Sequence, residues 1–279
     1  MQHDFAACDL TPSAAHLDEI DELRASIDWG PGSWTIGPML RTGGRVLALR
    51  DESGRLAAMG GAAVMAPGGF ICNMVVRPEH KRRGMGRRIF NELIAWLQQN
   101  GHTSIQLEAT EEGRPLYEQA GFRVRWLSVG STLATPPSRG DETGIEALQP
   151  GDWPEVAALD TAATGMARTP IFRELTTAGN FREALILREG GSIAGYGLRF
   201  ANRIGPVVAA SPGAAERLAR VLAARSEPGT IATIGHPQHS ALWQGLGFEV
   251  TPFDARMALG PDLPGDPSMV YCMLNGGLG

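Results

Sequence analysis

The sequence predicts an α+β protein of two domains that share one fold and stand in tandem. Three observations carry this. The chain has 279 residues, close to twice the ~150 of an ordinary domain. Its first half changes periodicity in the order helix, strands, helix, strand, helix, strand, the pattern of a mixed sheet covered by helices. Segments of the second half then repeat segments of the first in the same order.

Taken in order, Leu17, Ile20, Leu23 and Ile27 recur at spacings of three and four, so Ala14 to Ile27 reads as an amphipathic helix with Ser13 as its cap. Val46–Leu49, Leu56–Met65 and Phe70–Val76 read as strands, separated by turns at Ser53-Gly54 and Pro67-Gly68-Gly69. From Ile89 the period becomes helical, with Ile89, Phe90, Leu93, Ile94 and Leu97 on one face and Asn100-Gly101 as the stop. Ser104–Ala109 reads as a strand, Arg114–Gln119 as a short helix ended by Gly121, and Phe122–Val129 as a last strand. Residues 134–144 lack large hydrophobic side chains and concentrate Pro, Gly, Ser and charge, as a linker does. The expected domains are therefore 1–135 and 143–279.

The repeat supports that partition. Leu56-Ala57-Ala58-Met59-Gly60 aligns with Ile193-Ala194-Gly195-Tyr196-Gly197, Val75-Val76 with Val207-Val208, and Leu116 to Phe122 with Leu242 to Phe248. The offset shrinks steadily along the chain, as it does when a second copy loses loop residues.

Composition narrows the function classes. Hydrophobic residues at 43% and charged residues at 20% fit a folded chain with two cores. A net charge of −5 disfavours coating of nucleic acid or anionic membrane. The three cysteines, Cys8, Cys72 and Cys272, have no metal-ligand or disulfide-framework spacing, and His236 and His239 lack further ligand candidates, so no metal is expected. No export signal or membrane span is read, and a cytoplasmic location is the expectation.

The segment richest in chemistry runs from Val76 to Arg88. Gly84 and Gly86 permit a tight turn that exposes successive N–H groups, the following helix presents its positive end, and Lys81, Arg82, Arg83, Arg87 and Arg88 add charge. Such a loop suits a pyrophosphate. A Gly-Lys-Ser/Thr ending and a third glycine are both missing, which excludes the two commonest phosphate loops.

Lys81-Arg82-Arg83-Gly84-Met85-Gly86, after a strand ending in Val76-Arg77-Pro78, resembles the coenzyme A loop of the GNAT acetyltransferase superfamily, with Lys81 where Arg or Gln is usual. Glu108 to Phe122, with Leu116-Tyr117-Glu118 and Gly121-Phe122, resembles the second signature of the same enzymes. The resemblance implies a tandem pair of acyl-CoA N-acyltransferase folds and acetyl transfer from acetyl-CoA to a primary amine by direct attack. It implies that Met74, Val75 and Val76 pair with the pantetheine arm and that Lys81, Arg82, Arg83, Gly84, Met85, Gly86 and Arg87 hold the pyrophosphate. It implies Tyr117 as proton donor to the departing thiolate. Glu108, near a strand end, is the candidate base. Cys72 reads as a buried structural thiol, since no activating base lies near it in sequence.

The second copy has one glycine and little positive charge where the loop belongs, and Trp243 in place of the tyrosine. It resembles the degenerate carboxy-terminal halves of bacterial tandem GNAT proteins. Trp29 and Trp34, in the loop expected after the first helix, and His236 are candidates for a substrate wall. The expected partner is a small amine rather than a protein, a nucleic acid or a membrane, with the oligomeric state open. The competing reading is a CoA- or ligand-binding protein without turnover.

Overall fold

The computed structural model describes residues 5–278. The chain forms two compact units: one ends at Leu107 and includes Leu259–Pro261 and Leu278, and the other holds Glu108–Ala258 and Asp262–Gly277. No helix among the described residues is long and apolar enough to cross a membrane.

The first unit contains β1 (Ala6–Leu10), α1 (Ala14–Ala25), α2 (Ser33–Arg41), β2 (Arg45–Arg50), β3 (Leu56–Met65), β4 (Gly68–Val76), α3 (Met85–Gln99) and the start of β5 (Ser104–Ala109). The strands pair in that order, antiparallel except for β4 with β5, which run parallel because α3 carries the chain across. Ile89, Phe90, Leu93 and Leu97 are fully buried along one face of α3, as the period requires. That face lies so close to β3 that a Cβ on Gly60 would fall 2.7 Å from the Ile89 side chain and 2.5 Å from the sulfur of Met74.

Four local expectations change. β1 forms beside β2, helix α1 stops at Ala25, and α2 occupies the stretch after α1 that reads as a loop. Gly30, Pro31, Gly32, Gly37 and Pro38 mask the helix from a propensity argument, and tertiary contacts override them. Asp21 of α1 accepts from the N–H groups of Gly32 (2.7 Å) and Ser33 (3.0 Å), capping α2 from another helix, while Ile36 and Met39 are buried. The turn before β4 is at Ala66-Pro67, since Gly68 and Gly69 already belong to the strand.

The second unit contains α4 (Arg114–Gln119), β6 (Arg123–Leu133), β7 (Ile145–Ala147), α5 (Trp153–Thr164), α6 (Thr169–Leu175), β8 (Phe181–Glu189), β9 (Ser192–Phe200) and β10 (Arg203–Ala209). It continues with α7 (Pro212–Ala224), β11 (Ile231–Gly235), α8 (Ser240–Gly245), β12 (Phe248–Leu259) and β13 (Val270–Cys272). From β7 to β12 this repeats the element order β1 to β6. The pairing repeats too: β8–β9 and β9–β10 are antiparallel and β10–β11 parallel.

Strand β6 is hydrogen-bonded between β11 and β12, both far ahead in sequence. The irregular segment 134–144 therefore leaves a strand already built into the second unit's sheet, and Ala134 continues the tie by donating to Gly247 at 3.1 Å. The sequence copies and the compact units thus divide the chain at different places, because a strand goes with its hydrogen-bond partners.

Leu218, Leu222, Trp243 and Phe248 belong to one apolar core with Leu185 and Leu187 of β8 and Ile204 and Val207 of β10. The opposite face of β9 carries a buried charged cluster. Arg168 donates to both carboxylate oxygens of Asp160, at 2.6 and 3.1 Å, and Tyr196 donates to the same carboxylate at 2.5 Å, with all three residues at 2% exposure or less. Burial of a charge is tolerated here because its partners are complete. Asp160→Ala leaves Arg168 buried without its carboxylate and is expected to cost about 3–5 kcal/mol. Urea unfolding of the two proteins followed by circular dichroism checks this.

Candidate active site

The parallel ladder between β4 and β5 consists of Gly68↔Ser104, Gly69↔Ile105 and Phe70↔Gln106, and among the described residues it ends there. On the other side, β4 stays paired with β3 through Val75 and Val76, with a register shift where Asn73 and Met74 face Gly60. Asn73 takes φ +52° and its amide oxygen accepts from Arg24, so the extra residue is held in place. Beyond Phe70 the backbone groups of β4 on the β5 side are thus outside the ladder. Met74 and Val76 are half-buried on this stretch, with Val75 turned into the core.

The chain then enters the basic loop. Arg77 is buried: it donates to the Leu56 carbonyl at 2.6 Å and pairs with Glu22 at 2.7 Å, which fixes the strand end. Arg82 at φ +61° and Gly84 at φ +80° make the turn that aims the following N–H groups along the axis of α3. Gly84 is the N-cap, no side chain among the described residues caps the helix there, and a Cβ on Gly84 would meet nothing within 4 Å. Met85 is buried and anchors the first turn, while Lys81, Arg82, Arg83 and Arg87 are exposed around it. The result is an open cradle of uncapped N–H groups at the positive end of a 15-residue helix.

The second unit solves the same geometry differently. Its parallel ladder, Arg203↔Ile231 and Ile204↔Ala232, also ends early, but β13 lies along the next part of β10, pairing Val207↔Cys272 and Val208↔Val270. Ser211 caps α7 by accepting from Ala214 at 3.2 Å, and Pro212 at the first helical position has no N–H. The remaining hollow, about 480 Å³, is lined in part by Pro212, His239, Leu242, Asp266 and Tyr271. Ser268 donates to Asp266 and holds its carboxyl below the usual range, so this hollow carries negative charge. The indole of Trp243 donates to the Tyr271 carbonyl at 2.9 Å, a structural bond at the position the tyrosine holds in the first copy.

Of the remaining predicted site residues, Trp29 and Trp34 fall in the first unit. Trp29 is 36% exposed under the Arg24 guanidinium, and Trp34 is half-buried in the first turn of α2 rather than in a loop. Tyr117, Glu108 and His236 fall in the second. Tyr117 is buried on α4, with its ring folded over Gly113: a Cβ there would lie 3.1 Å from the hydroxyl oxygen.

Glu108 is enclosed. Arg256 donates from Nε at 2.5 Å and Ser128 from its hydroxyl at 3.0 Å. The Arg256 guanidinium lies over Trp126 at 5.4 Å, and His236 packs on the same indole at 5.1 Å. Burial holds the His236 imidazole below its usual range. Glu108 and His236 are therefore brought to one cluster, and no spacing in sequence announces it.

A further member went unread. Between Pro252↔Val129 and Ala255↔Leu127 strand β12 has one residue more than β6, so Phe253 and Asp254 form a bulge. Asp254 is half-buried, and burial, with Glu108 adding to it, raises its carboxyl to about 6.

A model of the acetyltransferase (GNAT) family matches residues 9–122, and a model of an acetyltransferase (GNAT) domain matches residues 156–272. Over 190 residues the chain is 33% identical to Uncharacterized N-acetyltransferase YitH of Bacillus subtilis (strain 168). That match spans 65% of this chain and 65% of the relative, just under two thirds of its length. A Pyrococcus horikoshii crystal structure that carries an acetyltransferase name superposes with a TM-score of 0.85 at 20% identity, over 99% of this chain and 96% of the other. A tandem GNAT protein from the clavulanic acid biosynthesis pathway superposes with a TM-score of 0.61 at 17% identity, over 93% and 100%. At these identities the two structures share the fold.

Burial pushes the Cys72 thiol up to about 11 and the Cys272 thiol up to about 12, whereas Cys8 is half-exposed. In the folded protein at pH 8, Ellman's reagent is expected to modify Cys8 at most, with Cys72 and Cys272 reacting only after denaturation. Reaction of Cys72 in the native state would restore it as a candidate nucleophile.

Proposed function

As this chain belongs to the GNAT acetyltransferase family, with two such domains in tandem, we propose that it transfers an acetyl group from acetyl-CoA to a small primary amine, using the first copy alone for the cofactor. The observation that carries this reading is the contrast between the two helix termini: α3 begins at an uncapped glycine amid exposed cations, and α7 is capped by its own serine. The chain's residues fit the cofactor. The backbone of Met74 to Val76 lies on the strand edge that the β5 ladder leaves, where a pantetheine amide would pair, and the Lys81–Arg87 loop would take the pyrophosphate.

Acetyl-CoA, when bound, supplies a thioester carbonyl open to attack. The residues then have three tasks: the loop orients the cofactor, a carboxylate relieves the amine of its proton, and the Tyr117 hydroxyl donates a proton toward the sulfur as the carbon–sulfur bond breaks. Trp243 offers only an N–H, and that is already bonded to Tyr271. In the second copy β13 and Asp266 stand where pantetheine and phosphate would, which supports a single cofactor per chain.

Titration calorimetry with CoA on the full chain is expected to give one site. Gly84→Asp should weaken it roughly tenfold or more, because a carboxylate enters the phosphate cradle and an L-residue must take φ +80°. Two sites, or unchanged affinity in a folded variant, would overturn the cofactor assignment. In thiol-release assays Tyr117→Phe should lower kcat by about tenfold to thousandfold with the CoA dissociation constant nearly unchanged. Binding without thiol release across an amine panel would favour a ligand-binding protein.

A further inference from the structure

We propose that the Phe253–Asp254 bulge is the acceptor-amine subsite: Asp254 binds the ammonium of a monoamine with an apolar body and takes its proton, and the Phe253 ring receives that body. The inference rests on the acetyl-transfer reading above.

Its first support is geometric. Trp126, Ser128 and Gly130 alternate onto one face of β6. Arg256 stands over Trp126, Glu108 accepts from Ser128, and a Cβ on Gly130 would lie 3.4 Å from the Phe253 ring. The bulge thus turns Phe253 toward the face that holds the Glu108 cluster. Phe253 is 49% exposed there, a large aromatic without cover.

Its second support is the charge balance. Arg256 of β12 neutralises Glu108 of β5, Ser128 and Trp126 of β6 are neutral, and burial keeps the His236 imidazole, just after β11, from charging near neutrality. No hydrogen bond or ion pair engages Asp254 among the described residues, although its surroundings already penalise its charge. A half-buried carboxylate without a donor calls for a cation. The balance leaves one negative charge, which matches one ammonium and disfavours a polyamine.

The proton step is simple. One N–H bond of the ammonium breaks, its proton goes to a carboxylate oxygen of Asp254, and the freed electron pair stays on nitrogen as the nucleophile. Asp254 returns that proton to solvent between turnovers. Glu108, held by Arg256 and Ser128, serves as a positioning residue for the cluster.

Asp254→Asn in the full chain tests this with and without turnover. Asp254 titrates at about 6 in the folded protein against 3.8 ordinarily, so its ionisation costs stability as pH rises through that interval. The variant should therefore melt higher than the wild type at pH 7.5, with the difference vanishing at pH 4. Calorimetry with 2-phenylethylammonium chloride in the presence of CoA should show binding to the wild type roughly tenfold or more tighter than to the variant, and tighter than spermidine. A pH-independent melting difference, equal binding to both proteins, or binding to neither overturns the subsite. Asp254-dependent binding with no thiol release for 2-phenylethylammonium leaves the subsite standing and overturns the acetyl-transfer reading instead.

Discussion

The structure turns on a parting of parallel strands. Where β4 leaves β5 after Phe70, and β10 leaves β11 after Ile204, a row of backbone donors and acceptors loses its ladder. Such groups need partners from water, a ligand or another strand. In the first unit a bulge at Asn73-Met74 keeps the edge open, and the following helix begins with uncapped N–H groups. In the second unit the chain supplies its own partner in β13 and its own cap in Ser211. One fold constraint thus leaves an open strand edge in one copy and a filled one in the other.

Electrostatics follow the same division. The loop before α3 carries the exposed Lys81, Arg82, Arg83 and Arg87, and the hollow beside α7 is left with Asp266. Deeper in the second unit, Arg168 and Arg256 are spent on Asp160 and Glu108, so these charges fix positions rather than attract ligands. Asp254 is the exception, a carboxylate placed near another and given no donor among the described residues. Residues of this kind lower stability in exchange for reactivity, and they collect at functional sites.

The placement of β6 ties the sequence copies together. It follows the first copy's signature helix, yet both of its neighbours, β11 and β12, come from the second copy. Cutting the chain after residue 135 would leave β6 with two bare edges, an aggregation hazard rather than a clean domain. The duplicated fold is therefore to be studied as a full chain.

The sequence by itself determined what depends on local chemistry. Gly84 was legible because a left-handed turn before a helix needs a glycine, and α3 because its apolar face repeats every three to four residues. The duplication was legible because both copies must build the same elements. Tertiary structure decided the rest. Helix α2 needed Asp21 from another helix to offset its glycines and prolines. Glu108, read from the sequence as the candidate base near a strand end, is enclosed by Arg256 from 148 residues away. Asp254 became a candidate only through a bulge, which exists as a mismatch between two strands and so cannot be read from either one alone.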